Sequence, residues 1–180
     1  MYLPEPQNSI NDSQSRRPTI NISLIGMPGA GKSTVGVVLA KQLGMQFIDT
    51  DILIQVQEQA TLEQILLQQG YLALRAIEGQ IIQHLNVRNS VIATGGSAVY
   101  SHEAMENLQG LGKIIYLNVS PEQLSERLGD FAQRGIATAS STSLEQLLEE
   151  RIPLYKKYAQ HTVNSELCTL EEVAEKIARI

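Results

Sequence analysis

The chain has 180 residues, a length that fits one domain of roughly 100–200 residues, and its 43% hydrophobic content gives about 77 apolar residues, enough for a core without disulfide or metal staples. Its 14 Lys and Arg against 19 Asp and Glu leave a net charge of −5, with charged residues making only 18% of the chain, which excludes a disordered polyelectrolyte and a protein that coats nucleic acid by charge. The one cysteine, Cys168, cannot close an intrachain disulfide, and no apolar run reaches the ~18–20 residues that span a bilayer, so a soluble protein of a reducing compartment, the cytoplasm, is expected.

Residues 1–19 carry Pro4, Pro6, Asn8, Asn11, Asp12, Ser13, Ser15, Arg16, Arg17 and Pro18 without a continuous apolar stretch. They read as a flexible arm and not as a signal peptide, leaving 20–180 as a single domain. From Thr19 onward, short β-rich runs alternate with helical stretches, the sequence form of a parallel sheet assembled from βαβ units. The first strand is expected at Ile20–Ile25. It runs into Gly26-Met27-Pro28-Gly29-Ala30-Gly31-Lys32-Ser33, which satisfies G-x-x-x-x-G-K-[ST] and opens a helix expected over Lys32–Leu43. A strand before and a helix after are the context this motif requires. Glycines let consecutive backbone N–H groups turn inward as an anion nest, and the helix adds the positive end of its dipole. Lys32 is therefore expected on the outer phosphates of a nucleotide, and Ser33 on Mg²⁺.

A second strand, Gln46–Ile48, leads into Asp49 and Asp51 and a helix expected over Asp51–Gln57. Two carboxylates two residues apart at the carboxyl end of a strand point the same way, into the crevice where open α/β sheets bind ligands. One would hold Mg²⁺ through water and the other orient an acceptor hydroxyl, the two parts that a P-loop alone lacks for phosphoryl transfer. The plainer reading makes Asp49 a solvated turn residue and Asp51 a helix N-cap. Helices over Leu62–Leu67 and Tyr71–Leu85 follow, the first with a core stripe of Leu62, Ile65, Leu66 and Leu67. Arg75 and Glu78, three apart on one face, form either a substrate contact or a plain i,i+3 pair. A third strand, Ser90–Ala93, ends in Thr94-Gly95-Gly96-Ser97, where the glycines either let the backbone approach a ligand or make a tight turn.

Helices over His102–Leu108 and Pro121–Arg127 flank a fourth strand, Lys113–Asn118. The stretch Leu128–Thr142, with Gly129, Gly135, Ser140 and Ser141, has little periodicity and reads as a mobile lid over a site or as an ordinary surface loop. The chain closes with a helix over Leu144–Tyr158, a short strand at His161–Val163 and a helix over Leu170–Ala178, so five strands fit one sheet. Thr61, Ser120, Ser143 and Thr169, each followed three residues later by Gln or Glu, read as capping boxes. His84, His102 and His161 are too scattered for a metal trio, and Cys168 reads as a small buried residue.

The residues assembled along the chain resemble the shikimate kinase family, small P-loop kinases of the nucleoside monophosphate kinase-like group. The resemblance runs from about Asn21 to Val163. It rests on Gly26–Thr34, Ile48-Asp49-Thr50-Asp51, Arg75-Ala76-Ile77-Glu78, Ala93-Thr94-Gly95-Gly96 and Glu150-Arg151-Ile152-Pro153-Leu154-Tyr155, in order. It implies an α/β protein with the three-layer P-loop kinase fold, a five-stranded parallel sheet and a lid. ATP would lie on Gly26, Pro28, Gly29, Ala30, Gly31, Lys32, Ser33 and Thr34, with Ser33 and, through water, Asp49 at Mg²⁺. Arg127 matches the family's adenine-stacking arginine and Arg134 its lid arginine, which reaches the phosphates. Asp51, Arg75, Glu78, Gly95, Gly96 and Arg151 would surround a hydroxylated carboxylate, with Lys32, Asp51 and Arg134 carrying the chemistry. The activity implied is ATP- and Mg²⁺-dependent phosphorylation of shikimate by a monomer without a nucleic-acid or membrane partner.

Three departures fall on the acceptor or lid side: Ser97 stands where the family has a third glycine, Leu74 where it has an aromatic, and Gly135-Ile136-Ala137 where it has Pro-Leu-Leu. They keep three other readings open: a kinase of another hydroxy acid such as an aldonate, a nucleoside or nucleotide kinase, and a nucleotide-binding regulatory protein without catalysis.

Overall fold

The computed structural model describes residues 20–128, 138, 142–166 and 168–180. The arm 1–19 and most of the 128–142 lid, including Arg134, lie outside the described residues. Five β-rich runs form one all-parallel sheet: β1 (Asn21–Ile25), β2 (Gln46–Asp49), β3 (Ser90–Ala93), β4 (Gly112–Asn118) and β5 (His161–Asn164), in the order β2-β3-β1-β4-β5. The central strands read as continuous apolar runs because both faces are covered; Leu24, Ile25, Val91, Ile92, Ile114, Ile115 and Leu117 are all fully buried. Among the described residues the helices are α1 (Lys32–Leu43), α2 (Thr50–Glu58), α3 (Leu62–Gln69), α4 (Tyr71–Gln83), α5 (His102–Leu111), α6 (Pro121–Leu128), α7 (Leu144–Tyr158) and α8 (Leu170–Ala178). With them the sheet forms the three-layer P-loop kinase fold.

Helix starts follow the capping residues. Thr61, Ser143 and Thr169 each form both halves of a capping box. At Ser120 only one half forms: its hydroxyl accepts from the Gln123 amide at 3.4 Å, while Oε1 of Gln123 is buried without a hydrogen-bond partner. The second strand runs one residue further than its sequence suggests, and this corrects the capping assignment. Asp49, not Asp51, is the N-cap of α2, its carboxylate accepting from the Asp51 amide at 3.0 Å. The core stripe of α3 is narrower than expected: Ile65 is buried, but Leu67 is 78% exposed. Cys168 is half-buried, and the Lys176 ammonium donates to its sulfur at 2.9 Å.

One polar side chain ties the base of the sheet. Asn21, buried at the start of β1, donates to the Val87 carbonyl at 2.8 Å and the Leu111 carbonyl at 3.1 Å, and accepts from the Ser90 amide at 3.0 Å. Those groups enter β3 and β4, so a single residue registers three strands. Asn21→Ala strands a donor and acceptors in the interior and is expected to lower stability by about 2–3 kcal/mol. An unfolding free energy from urea titration within about 0.5 kcal/mol of the parent's would contradict this.

Candidate active site

Beyond the carboxyl ends of β1, β2 and β3, a cleft of about 400 Å³ is lined by Pro28, Gly29, Gly31–Thr34, Asp51, Ile54, Leu62, Leu74, Glu78, Thr94–Ser97, Arg127, Leu128 and Arg151. One wall is the loop between β1 and α1. Gly26 (φ 145°), Gly29 (φ 78°) and Gly31 (φ 89°) all hold backbone conformations that side chains disfavour. At Gly26 a Cβ would also lie 2.7 Å from the Leu117 carbonyl oxygen. Gly31 is the N-cap of α1 and has no side chain to satisfy the first-turn amides, so these remain available to an anion, and Ser33 and Thr34 stand exposed beside them. That donor set suits a polyphosphate.

Lys32 is buried under the loop, its ammonium donating to the Gly26 and Met27 carbonyls at 2.8 Å each. Burial pulls its pKa down to about 8, with the negative charges of Asp51 and Glu78 opposing. Among the described residues no group of three His, Cys, Asp or Glu is placed to hold a metal ion. A hydroxyl such as Ser33 with one or two nearby carboxylates instead suits Mg²⁺, which keeps several waters and takes phosphate oxygens as ligands. Arg127, in the last turn of α6, places its guanidinium 3.4 Å from the Gly29 carbonyl, at the rim of the same loop.

The opposite side of the cleft is built from α2, α4, the turn after β3 and α7. Asp51 sits in the first turn of α2, and burial, then the charge of Asp49, raises its carboxyl pKa, with Lys32 opposing. Glu78 is buried on α4, and its Oε2 accepts from the Ser97 hydroxyl. Burial pushes its pKa up to about 7, against the Ser97 hydrogen bond. Arg75 and Glu78 share a helix turn yet go to different partners. The Arg75 guanidinium lies 3.8 Å from the ring centre of Tyr100 and 5.1 Å from that of Tyr71.

Arg151 is 1% exposed, and its Nε donates to the Tyr100 hydroxyl at 3.2 Å. Both arginines thus converge on Tyr100, in a short 3₁₀ turn (Ala98–Tyr100) that sequence periodicity did not reveal. Leu74, standing where an aromatic was expected, is instead part of a small apolar cluster with Ile54 and Ile65, while Tyr71 and Tyr100 supply the aromatic faces against Arg75.

The two glycines line the cleft at a turn, and the crowding around them adds a reason that the sequence did not show. A Cβ on Gly95 would strike the carboxylates of Glu78 and Asp51, and one on Gly96 would lie 2.7 Å from Pro28 and 2.9 Å from the Arg151 guanidinium. Glycine is needed because functional side chains crowd the backbone. The turn is fastened from both ends: the Gly95 amide donates to Thr50 Oγ1 at 3.1 Å, and the buried Tyr155 hydroxyl donates to the Gly96 carbonyl at 2.7 Å. Thr50, Tyr100 and Tyr155 are supporting residues that the motifs only hinted at by adjacency.

A family model described as shikimate kinase matches residues 28–180. The chain is 37% identical over 167 residues to shikimate kinase 2 of Yersinia enterocolitica, covering 90% of this chain and 95% of that one. It is likewise 37% identical over 158 residues to shikimate kinase of Thermobifida fusca, covering 87% and 91%. Among solved structures, shikimate kinase from Acinetobacter baumannii in complex with shikimate superposes with a TM-score of 0.82 at 32% identity, over 89% of this chain and 92% of that one. The matching family model, relatives spanned nearly end to end and the close superposition place the chain in the shikimate kinase family.

Proposed function

We propose that the protein transfers the γ-phosphoryl group of ATP to a hydroxyl of shikimate, giving shikimate 3-phosphate and ADP. The observation that carries this reading is a phosphate-binding loop and a fully buried guanidinium, that of Arg151, in one small cleft with Asp51. The first-turn amides of α1 and Lys32 would hold the transferring phosphates, which is where charge builds in the transition state. When bound at Ser33 and, through water, Asp49, Mg²⁺ supplies further neutralisation of the phosphates. Asp51 would orient the acceptor hydroxyl and take its proton, a role favoured by a carboxyl whose pKa burial has raised. By family resemblance, Arg127 would stack on adenine and Arg134 would reach the phosphates. We further propose a cytoplasmic monomer without nucleic-acid or membrane partners; among the described residues no helix is long and apolar enough to cross a membrane.

Steady-state kinetics with ATP, Mg²⁺ and, side by side, shikimate, quinate, gluconate and a neutral sugar test the assignment. Turnover of another acid and none of shikimate would keep the chemistry and move the substrate, a reading that Ser97 and Leu74 keep in view. We propose that Arg75 and Arg151 clamp the acceptor's carboxylate through their guanidinium forks, and activity confined to the neutral sugar would refute this. Arg75→Ala and Arg151→Ala are each expected to raise the Michaelis constant for the acid by roughly 10–100-fold, the scale of one charged hydrogen bond. The constant for ATP should change far less.

A further inference from the structure

We propose that Tyr100 is a positioning residue for recognition of the acceptor's carboxylate: its hydroxyl fixes the guanidinium of Arg151 and its ring face holds that of Arg75, so that the two arginines stand as one preformed clamp. The inference rests on the carboxylate clamp proposed above and goes beyond it, because Tyr100 acts on the acceptor only through the two arginines. Arg151 Nε donates to the Tyr100 hydroxyl at 3.2 Å, and its guanidinium carbon lies 5.3 Å from the ring centre; that of Arg75 lies 3.8 Å from the same centre. One half-buried aromatic side chain thus serves two cations that come from different helices, α4 and α7. An aromatic face attracts a guanidinium through its quadrupole, more strongly away from water. It also offsets the repulsion of two like charges brought to one ring.

Each contact fixes a different degree of freedom. Donation by Nε sets the plane of the Arg151 guanidinium, and its Nη1 lies 2.9 Å from the point where a side chain on Gly96 would begin, at the wall of the cleft that both residues line. The two terminal nitrogens are the pair that meets a carboxylate end-on with parallel hydrogen bonds. Stacking on Tyr100, with Tyr71 one turn earlier on α4 at 5.1 Å, restricts the long Arg75 side chain. Ordering a rotamer-rich side chain before the ligand arrives removes that cost from binding.

The ring is itself anchored. Tyr100 ends the short 3₁₀ turn that follows Ser97, and the segment from Gly96 to Tyr100 is tied to α7 twice, one helical turn apart. Arg151 donates to Tyr100, and the Tyr155 hydroxyl donates to the Gly96 carbonyl at 2.7 Å. Burial raises the Tyr100 phenol pKa above its ordinary value, against the hydrogen bond and charge of Arg151, so the hydroxyl keeps its proton at neutral pH. Tyr100 therefore orients the two cations without cancelling their charge.

The test compares shikimate with its neutral carboxamide, which keeps the ring and every hydroxyl, by calorimetric binding to the parent enzyme, Tyr100→Phe and Tyr100→Leu. The parent should bind the acid at least about 10-fold more tightly than the amide. Tyr100→Phe keeps the ring and removes the acceptor for Arg151; it should weaken the acid by about 3–10-fold and leave the amide within about 2-fold. Tyr100→Leu removes both contacts and should weaken the acid by about 10–50-fold, again with the amide nearly unchanged. In turnover the loss should appear in KM for the acid, with kcat within about 3-fold and KM for ATP unchanged. Arg75→Ala should cost the Tyr100→Leu variant less acid affinity than it costs the parent, since the two residues act as a unit. Equal weakening of acid and amide, the mark of a merely structural role, or an unchanged acid-to-amide ratio would overturn the proposal; where Tyr100→Leu does not fold, Tyr100→Phe decides. A parent that binds acid and amide equally refutes the carboxylate clamp and the proposal with it. One that binds the acid selectively without phosphorylating it refutes the kinase reading alone, and the comparison still decides the role of Tyr100; one that binds neither refutes both.

Discussion

Lys32→Ala is expected to lower kcat by roughly 10³-fold, the upper range for removing one preorganised donor from developing charge. Lys32 is the cation that follows the glycine loop, and its ammonium is held against the Gly26 and Met27 carbonyls beneath the first turn of α1. The substitution deletes two hydrogen bonds. It also deletes a buried cation whose pKa burial has already pulled down to about 8, and these two effects on stability oppose one another. The urea midpoint should therefore stay near the parent's while turnover collapses. Measuring both on one preparation separates loss of chemistry from loss of fold. Near-normal ADP release by a folded variant would sink the assignment of the loop.

Asp51→Asn should lower kcat by about 10²–10⁴-fold, the range for a positioned general base, while the acceptor binds within about 10-fold of its parental affinity. The amide keeps the shape and still accepts a hydrogen bond, but it cannot take the hydroxyl proton. Asp51 faces Lys32 across the cleft and has Asp49 two residues before it, and burial raises its pKa above the ordinary carboxylate value. The neutral amide removes a buried negative charge, so the fold should tolerate it. Calorimetric titration of the acceptor alongside single-turnover phosphoryl transfer reads the two quantities apart. A loss of affinity as large as the loss of rate would make Asp51 a binding group and return the proton to another acceptor.

Much of this architecture was legible one segment at a time. The predicted spans of α1, α7 and α8 coincide with the observed ones, as does β3. Their ends are set by local chemistry: glycine at Gly31 and Gly44, and capping boxes at Ser143 and Thr169. The P-loop was equally plain, because its function depends on the backbone conformation of contiguous glycines. Where local rules faltered, a neighbouring element decided. Asp51 read as the cap of α2 and Asp49 as a turn residue, but pairing with Ala93 carries β2 through Asp49, which makes Asp49 the cap and starts the helix at Thr50.

The sequence by itself determined the alternation of strands and helices and the glycine-rich loop with its lysine and hydroxyl residues, since each is written within a few consecutive positions. Only the tertiary structure decided which distant side chains meet. Ser97 reaches Glu78 across 19 positions and Arg151 reaches Tyr100 across 51, and Gly95 and Gly96 are glycine because of what crowds them from α2, α4 and α7. No local propensity encodes such meetings. They follow from the strand order, which sets β3 between β2 and β1 and brings the turn after β3 against the helices that carry Asp51, Glu78 and Arg151. The acceptor subsite, whose specificity is a matter of rotamers and buried hydrogen bonds, therefore emerges only once the sheet has assembled.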